Sequence, residues 1–215
     1  MSLMNETKLS FLIADDHFII RQGLELIIKN YYFNPFVFFA GSIEEILSVL
    51  EETKIDVLIL DVNFPDGSSL NVMPEIIEKY PAIKVLVFTA YDEDYYALRF
   101  VKAGAAGYVT KLSSQEVVKE AISDILLKGS YLSNNIKEQI VEYYRTNKPI
   151  NPFEKLSARE KEVAELYVQG LNNSEIAIKL NMKQNTISTF KSRIYEKLNI
   201  NNLTKLIELY RVYNE

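Results

Sequence analysis

The chain has 215 residues, 48% apolar and 25% charged, with a net charge of −5, an ordinary globular composition with room for two domains. It contains no cysteine, which excludes disulfides, thiolate nucleophiles and Cys-zinc sites, and its single histidine, His17, would have to serve any Ser-His-Asp triad. No run approaches the roughly 18 apolar residues of a membrane span, and the opening Met1-Ser2-Leu3-Met4-Asn5 lacks the pattern of a secretion signal. A cytoplasmic protein is therefore expected, with Met4 a candidate natural start.

Through residue 128, continuous apolar runs alternate with amphipathic stretches. Strands are predicted at 9–14, 36–40, 56–60, 83–88 and 106–109, and helices at 18–32, 43–52, 69–80, 92–103 and 114–128. The apolar runs do not alternate in polarity, as befits parallel strands covered on both faces. Repeated strand-then-helix units predict an α/β fold, a doubly wound five-stranded parallel sheet, because parallel neighbours need helical crossovers. Gly129-Ser130 stops the fifth helix. Residues 134–146 read as a short helix with apolar Ile136, Ile140, Val141 and Tyr144, and Asn147-Lys148-Pro149-Ile150-Asn151-Pro152 reads as linker.

Beyond the linker the pattern is helical throughout. Ser157-Ala158-Arg159-Glu160 is a capping box opening a helix to about Gln169, which Gly170 ends. Asn172 caps a second helix with Glu175 three residues on, and a turn at Asn181-Met182-Lys183 leads into a longer helix at 184–198. A last helix spans about 202–213. Short helix, tight turn and basic helix are the layout of a helix-turn-helix. The predicted organisation is an α/β domain over 1–129, a linker with a short helix over 130–152, and an all-α domain over 153–215.

Charge follows the same division. Residues 1–152 hold 14 Lys+Arg against 21 Asp+Glu, a net of −7, whereas 153–215 hold 10 against 8, a net of +2. Between Lys183 and Lys205, the bases Lys183, Lys191, Arg193, Lys197 and Lys205 face Glu196 alone. That asymmetry points to an anionic partner for the back half.

Ligands of doubly wound sheets sit at the carboxyl ends of the strands. Asp15 and Asp16 end the first apolar run, Asp61 the third and Thr89 the fourth, and Lys111 follows the fifth. Three carboxylates offer the hard oxygen ligands that magnesium takes alongside water and phosphate. A metal and Lys111 would neutralise an incoming phosphoryl group, leaving one carboxylate free to attack. Thr89 would add a hydroxyl donor, and small Ala90 leaves room for a phosphate. Singly, each of these acids reads more readily as a helix cap; it is their meeting at one sheet edge that argues for chemistry.

Here the chain resembles the response-regulator receiver domains of two-component signalling, across roughly 7–128. The matching pieces are Ile13-Ala14-Asp15-Asp16-His17, Asp61 with Pro65 and Gly67 behind it, Thr89-Ala90, and Gly104-Ala105-Ala106-Gly107-Tyr108-Val109-Thr110-Lys111. The resemblance implies a flavodoxin-like fold with Asp61 as phosphoacceptor. It implies Mg2+ held by Asp15, Asp16, Asp61 and the backbone carbonyl of Asn63. Thr89 and Tyr108 match its coupled switch pair, and Lys111 its phosphate-contacting lysine. Leu112 stands where many receivers have proline, so no cis peptide is expected there. His17 matches a common family histidine with no catalytic task and is expected to be structural.

In the back half, Ile187, Ile194 and Leu198 share one face of the 184–198 helix, with Phe190 at its margin. Asn185, Thr189, Ser192 and Glu196 face away, flanked by Ser188 and Arg193. Small polar side chains suit base edges and flanking bases suit phosphates, although a solvated amphipathic helix has the same pattern. Lys191, near the apolar stripe, would have to reach sideways toward backbone phosphate. The stretches Leu156–Val163, Gly170–Ala177, Thr186-Ile187 and Lys197-Leu198 resemble the LuxR-type DNA-binding domain, and receiver plus this domain resembles the NarL/FixJ class. That implies double-stranded DNA contacts from Lys183, Gln184, Asn185, Thr186, Ser188, Thr189, Lys191, Ser192, Arg193 and Lys197. It also implies a cognate histidine kinase, and a homodimer when active. The last helix resembles that domain's dimerisation helix, and it also serves to cover the helix-turn-helix core. Lys183 replaces the usual Ser/Thr cap, Ser188 a common lysine and Phe190 a common histidine.

Two rivals remain. An aspartate-nucleophile phosphatase would need a second acid at position 63, where the chain has Asn63, and no Gly-x-x-x-x-Gly-Lys loop argues for a nucleotide hydrolase. A DNA binder that ignores phosphorylation, using the receiver as a dimerisation platform, has the same sequence signature.

Overall fold

The computed structural model describes residues 8–146 and 151–214. The N-terminal stretch read for a secretion signal and residues 147–150 of the predicted linker lie outside the described residues. The chain divides into two compact units, residues 1–141 and 142–215.

In the first unit, strands β1 (Ser10–Ala14), β2 (Phe36–Ala40) and β3 (Val57–Leu60) form within one residue of expectation. An unpredicted two-residue hairpin comes next, β4 (Asn63–Phe64) with β5 (Gly67–Ser68), and then β6 (Lys84–Thr89) and β7 (Gly107–Thr110). The main sheet is fully parallel in the order β2-β1-β3-β6-β7, so the order reverses after β1 and a crevice opens beyond the carboxyl ends of β1 and β3. Every residue of β3 is buried, as expected of a central strand. Each fully buried Leu or Ile contributes about 1.5–3 kcal/mol, which makes this strand a rigid mount for Asp61 at its end.

Helices α1 (Phe18–Tyr31), α2 (Ile43–Glu52), α3 (Ser69–Lys79), α4 (Glu93–Lys102) and α5 (Gln115–Leu127) cross between the strands. Their starts are chemically marked: Ser42 Oγ accepts from Glu45 N at the head of α2, and Asp92 accepts from Asp94 N at the head of α4. Gly104, at φ +106°, lets the chain leave α4, and a Cβ there would stand 2.9 Å from Ile77.

Residues 130–141, read from sequence as the front of the linker, pack on the first unit. Tyr131 N donates to Ala106 O at 2.8 Å, extending the sheet edge beside Gly107 by an isolated bridge. Helix α6 (Asn134–Thr146) then begins on this unit, with Ile136 fully buried.

The second unit is helical, as expected: a 3-10 turn at Pro152–Lys155, then α7 (Ala158–Val168), α8 (Asn173–Lys179), α9 (Gln184–Leu198) and α10 (Leu203–Asn214). The 3-10 turn was not predicted; Asn151 Oδ1 accepts from Phe153 N and Pro152 occupies the first helical position. Both predicted capping boxes form, Ser157 with Glu160 and Asn172 with Glu175. Gly170 ends α7 at φ +88°, and Asn181 makes the left-handed turn before α9. Val163, Tyr167, Ile176, Ile187, Ile194, Leu206 and Leu209 are among the residues of its core. Leu206 and Leu209 bury the inner face of α10, which is the core-covering role expected of that helix.

Candidate phosphoacceptor pocket and nucleic-acid interface

The sheet brings the expected residues of the first unit to one edge. Asp15 extends β1 and Asp61 extends β3, and both are almost wholly buried, at 1% and 6% exposure. Lys111, just past β7, reaches between them: its Nζ lies 2.6 Å from Asp15 Oδ2 and 2.7 Å from Asp61 Oδ2. Burial works against its ammonium, but hydrogen bonds to both carboxylates outweigh that and hold the Lys111 pKa above its ordinary value. The second Asp61 oxygen accepts from Val62 N at 2.7 Å.

Asp16 is more open, and His17 Nδ1 lies 2.6 Å from Asp16 Oδ1 and 3.2 Å from Asp15 Oδ1. His17 N also donates to Asp15 Oδ1 at 2.9 Å, so the histidine does orient the acidic pair. Ligand atoms of Asp15, Asp16, His17 and Asp61 all lie within 4.8 Å of one another. Three carboxylates against one ammonium leave two negative charges in a small oxygen-rich cup, a donor set that fits a hard divalent cation.

Thr89, at the end of β6, is fully buried, and its hydroxyl has no hydrogen-bond partner among the described residues. An unpaired buried hydroxyl costs stability, and it is the kind of strain that a ligand oxygen relieves. Ala90 beside it is exposed, and Lys111 N donates to Thr89 O at 2.7 Å, which fixes the lysine's root. Tyr108, on β7, is turned inward at 2% exposure, and its hydroxyl donates to Tyr91 O at 2.9 Å. Burial pushes that hydroxyl's pKa far up, so it stays a donor. Asn63, on the small hairpin, is exposed and its Nδ2 donates to Tyr91 Oη at 2.5 Å.

Several supporting residues were not anticipated. Ser69 Oγ donates to Asp61 O at 2.7 Å, locking the backbone behind the acid. Arg21 Nη1 donates to Asp15 O at 2.5 Å. Asp66 caps α2 from the hairpin by accepting from Ile43 N and Glu44 N, and the Ile43 bond leads in holding its carboxyl below the usual range. The only sequence signal for Ser69 and Asp66 was their polarity beside a helix start.

In the second unit, the polar residues read from sequence lie on α9 and its N-cap. Lys183, Gln184, Asn185, Thr186, Ser188, Thr189, Ser192, Arg193 and Lys197 are exposed, whereas Ile187, Ile194 and Leu198 are buried, as expected. Lys183 is the N-cap and makes no side-chain cap bond. Lys191 is half-buried with its ammonium 5.4 Å from the Tyr167 ring centre and 5.6 Å from that of Tyr195, so it rests on aromatic faces beside the stripe. Gln184 Nε2 donates to Ser174 Oγ and Asn173 Nδ2 to Ser188 Oγ, bracing α9 against α8. Tyr167, its hydroxyl pKa pushed up to about 12 by burial, donates to Asn173 Oδ1 at 2.8 Å. Lys197 is already engaged: its Nζ lies 2.6 Å from Oε2 of buried Glu160.

A five-stranded parallel sheet with an acidic cup, joined to a helix-turn-helix, defines a signal-receiving DNA-binding regulator. Residues 11–123 match the response regulator receiver domain, and 154–210 match the bacterial regulatory proteins of the luxR family. The chain is 32% identical over 190 residues to the response regulator GacA of Pseudomonas aeruginosa, covering 88% of this chain and 89% of GacA. It is also 32% identical over 210 residues to the oxygen regulatory protein NreC of Staphylococcus epidermidis, covering 93% and 95%. A solved complex of the two-component response regulator RcsB with DNA aligns with TM-score 0.74 at 23% identity, over 96% of this chain and 99% of that one. A second, RcsB from Salmonella enterica serovar Typhimurium on promoter rprA with phosphomimetic BeF3-, aligns with TM-score 0.71 at 22% identity, over 95% and 99%. The chain belongs to the two-component response regulators that pair a receiver with a LuxR-type helix-turn-helix, the NarL/FixJ class. It is thus a DNA-binding transcription regulator rather than a classical enzyme. Among the described residues no helix is long and apolar enough to cross a membrane.

Proposed function

We propose that a cognate histidine kinase in the cytoplasm phosphorylates Asp61, and that this shifts the chain's DNA affinity through dimerisation or release of its helical domain. The domains that act are the receiver, 1–129, and the DNA-binding domain, 153–215, joined by 130–152. The observation that carries the reading is the Asp61 carboxylate: buried at the end of β3, with one oxygen held by Val62 N and the other by Lys111. Asp61 attacks phosphorus, the O–P bond forms as the N–P bond to the kinase histidine breaks, and the freed imidazole nitrogen takes a proton. Mg2+ held by Asp15, Asp16, Asp61 and the Asn63 carbonyl would neutralise charge on the transferred group.

Lys111 then follows the phosphoryl oxygen, releasing its hold on the bare carboxylate. Thr89, whose hydroxyl has no partner in the described residues, donates to a second oxygen, and Ala90 leaves space for a third. Movement of Thr89 is coupled to Tyr108 on the neighbouring strand. Activation shifts an existing equilibrium, so coupling is limited by the preference of phosphate for one state. Asn63, in place of a general acid, leaves the acyl phosphate without an internal proton donor for rapid turnover.

On DNA, Asn185, Thr186, Ser188, Thr189 and Ser192 would face base edges. Lys183, Gln184, Lys191 and Arg193 would flank them at phosphates. Lys197 serves first as anchor for Glu160, and a phosphate contact would compete with that pair. Incubation with a small phosphodonor and Mg2+ should give an aspartyl phosphate, located by mass spectrometry, that Asp61→Asn abolishes. Equal labelling of that variant at the same site would overturn the assignment.

A second reading, DNA binding regardless of phosphorylation, is favoured by one observation: the Tyr108 ring is already inward and tied to Tyr91 O. Footprinting with and without phosphodonor separates the two, since equal affinity in both states supports the second.

A further inference from the structure

The chain between β7 and α6 is bolted onto the face that carries Tyr108. Tyr131 N donates to Ala106 O at 2.8 Å, and Tyr131 pairs beside Gly107, the residue before Tyr108. Two residues on, Ser133 Oγ lies 3.1 and 3.2 Å from the carboxylate oxygens of Glu93. Asn135 Nδ2 then bridges Glu93 Oε1 at 2.9 Å and Asp94 Oδ1 at 2.6 Å. A carboxylate can only accept, so the amide must present its nitrogen to both acids. Ser133 also accepts from Ile136 N at 3.1 Å, so the same hydroxyl starts α6.

Glu93 and Asp94 are the first turn of α4, where negative charge is favourable. From that turn, Tyr96 and Phe100 run inward, and the Phe100 ring lies 6.4 Å from that of Tyr108. One connected set of contacts therefore runs from the Tyr108 ring through α4 to the first residues of α6. That helix continues past residue 141 into the second unit.

We infer that Ser133 and Asn135, with Glu93 and Asp94, form the joint that passes the state of Tyr108 to α6, and so couples phosphorylation to DNA binding. They are positioning residues: none belongs to the acidic cup or to α9. A change of α4 that draws Glu93 and Asp94 away costs the charge-assisted bonds at the head of α6, so the two ends share one equilibrium rather than two. The inference rests on the phosphoacceptor reading above.

The test uses the full chain with Asn135→Ala, Asn135→Asp and Asn135→Gln. Asn135→Asp places a third carboxylate against two, whereas Asn135→Gln retains the amide. For each, phosphoryl uptake is read by intact mass, folding by thermal melting, and coupling as the ratio of DNA affinities with and without phosphodonor. The expected result is wild-type uptake in all three, with the affinity ratio falling by about five-fold or more in the Ala and Asp variants. The Gln variant should keep most of the ratio, an outcome that a simple loss of fold would not give. A ratio within two-fold of wild type in an Ala or Asp variant that takes up phosphate overturns the joint alone. Absence of uptake by the wild-type chain overturns the acceptor reading, and the joint with it.

Discussion

Glu160 holds three contacts with its one buried carboxylate: Ser157 N at 2.7 Å, Ser157 Oγ at 2.9 Å and Lys197 Nζ at 2.6 Å. Burial alone would raise its pKa, but Lys197 and Ser157 reverse that and hold it below the ordinary 4.5. A depressed carboxylate stabilises the fold above its unfolded value and loses that contribution as pH falls through its folded value. The helical unit should therefore lose stability below about pH 4.5, and Glu160→Gln should flatten that limb of a melting-temperature profile. At neutral pH, Lys197→Ala leaves the carboxylate with Ser157 alone, at a cost of about 1–2 kcal/mol. The figure lies below that for a fully buried pair because the Lys197 side chain is 41% exposed. Denaturant melts of the helical unit measure it. The Lys197–Glu160 pair was not legible in the sequence, because the partners lie 37 residues apart, where no local period reveals them.

Among the elements, α9 begins on Lys183, which makes no side-chain cap bond, so that of its first amides Thr186 N relies on the Lys183 carbonyl, 2.9 Å away. Lys183→Ser should stabilise the helical unit by about 0.5–1 kcal/mol through a new cap. The same change removes a cation from the face proposed to meet DNA, so affinity should fall and the salt slope of binding should drop by about one. Opposite signs in melting and in salt-dependent binding would mark Lys183 as a residue retained for DNA; a loss in both would not. The cap position, like both capping boxes and the strand runs, was legible because it depends on neighbours in sequence. The β4–β5 hairpin was not, since two-residue strands carry no period. Nor was the docking of Tyr131 beside Gly107, although Gly107 carried a silent clue. A Cβ there would stand 2.9 Å from Leu86 Cδ1 and 3.0 Å from the Tyr131 carbonyl, so Gly107→Ala should cost about 1–3 kcal/mol in thermal or urea melts. In the pocket, topology placed Asp15, Asp61, Thr89 and Lys111 together from sequence. Ser69, Arg21 and Asp66 act through backbone groups, which residue type does not announce.

At the level of the whole chain, the acidic cup belongs wholly to one unit and the basic helix to the other. Each unit has its own core, so each can unfold on its own and respond to its own ligand. A ligand that binds only the folded form stabilises by RT ln(1 + [L]/Kd), about 2.7 kcal/mol at a hundred-fold excess over Kd. Scanning calorimetry of the full chain should resolve two transitions. Mg2+ should raise the one that carries the sheet and leave the helical one in place, because all the acids of the cup lie in the first unit. Double-stranded DNA should do the converse. Phosphodonor with Mg2+ differs from either: if phosphorylation of Asp61 reaches the helical unit, the DNA-induced shift must change when the donor is added, since linkage between two sites is reciprocal. A DNA shift identical with and without donor, in a chain shown by mass to be phosphorylated, would leave the receiver as a platform rather than a switch.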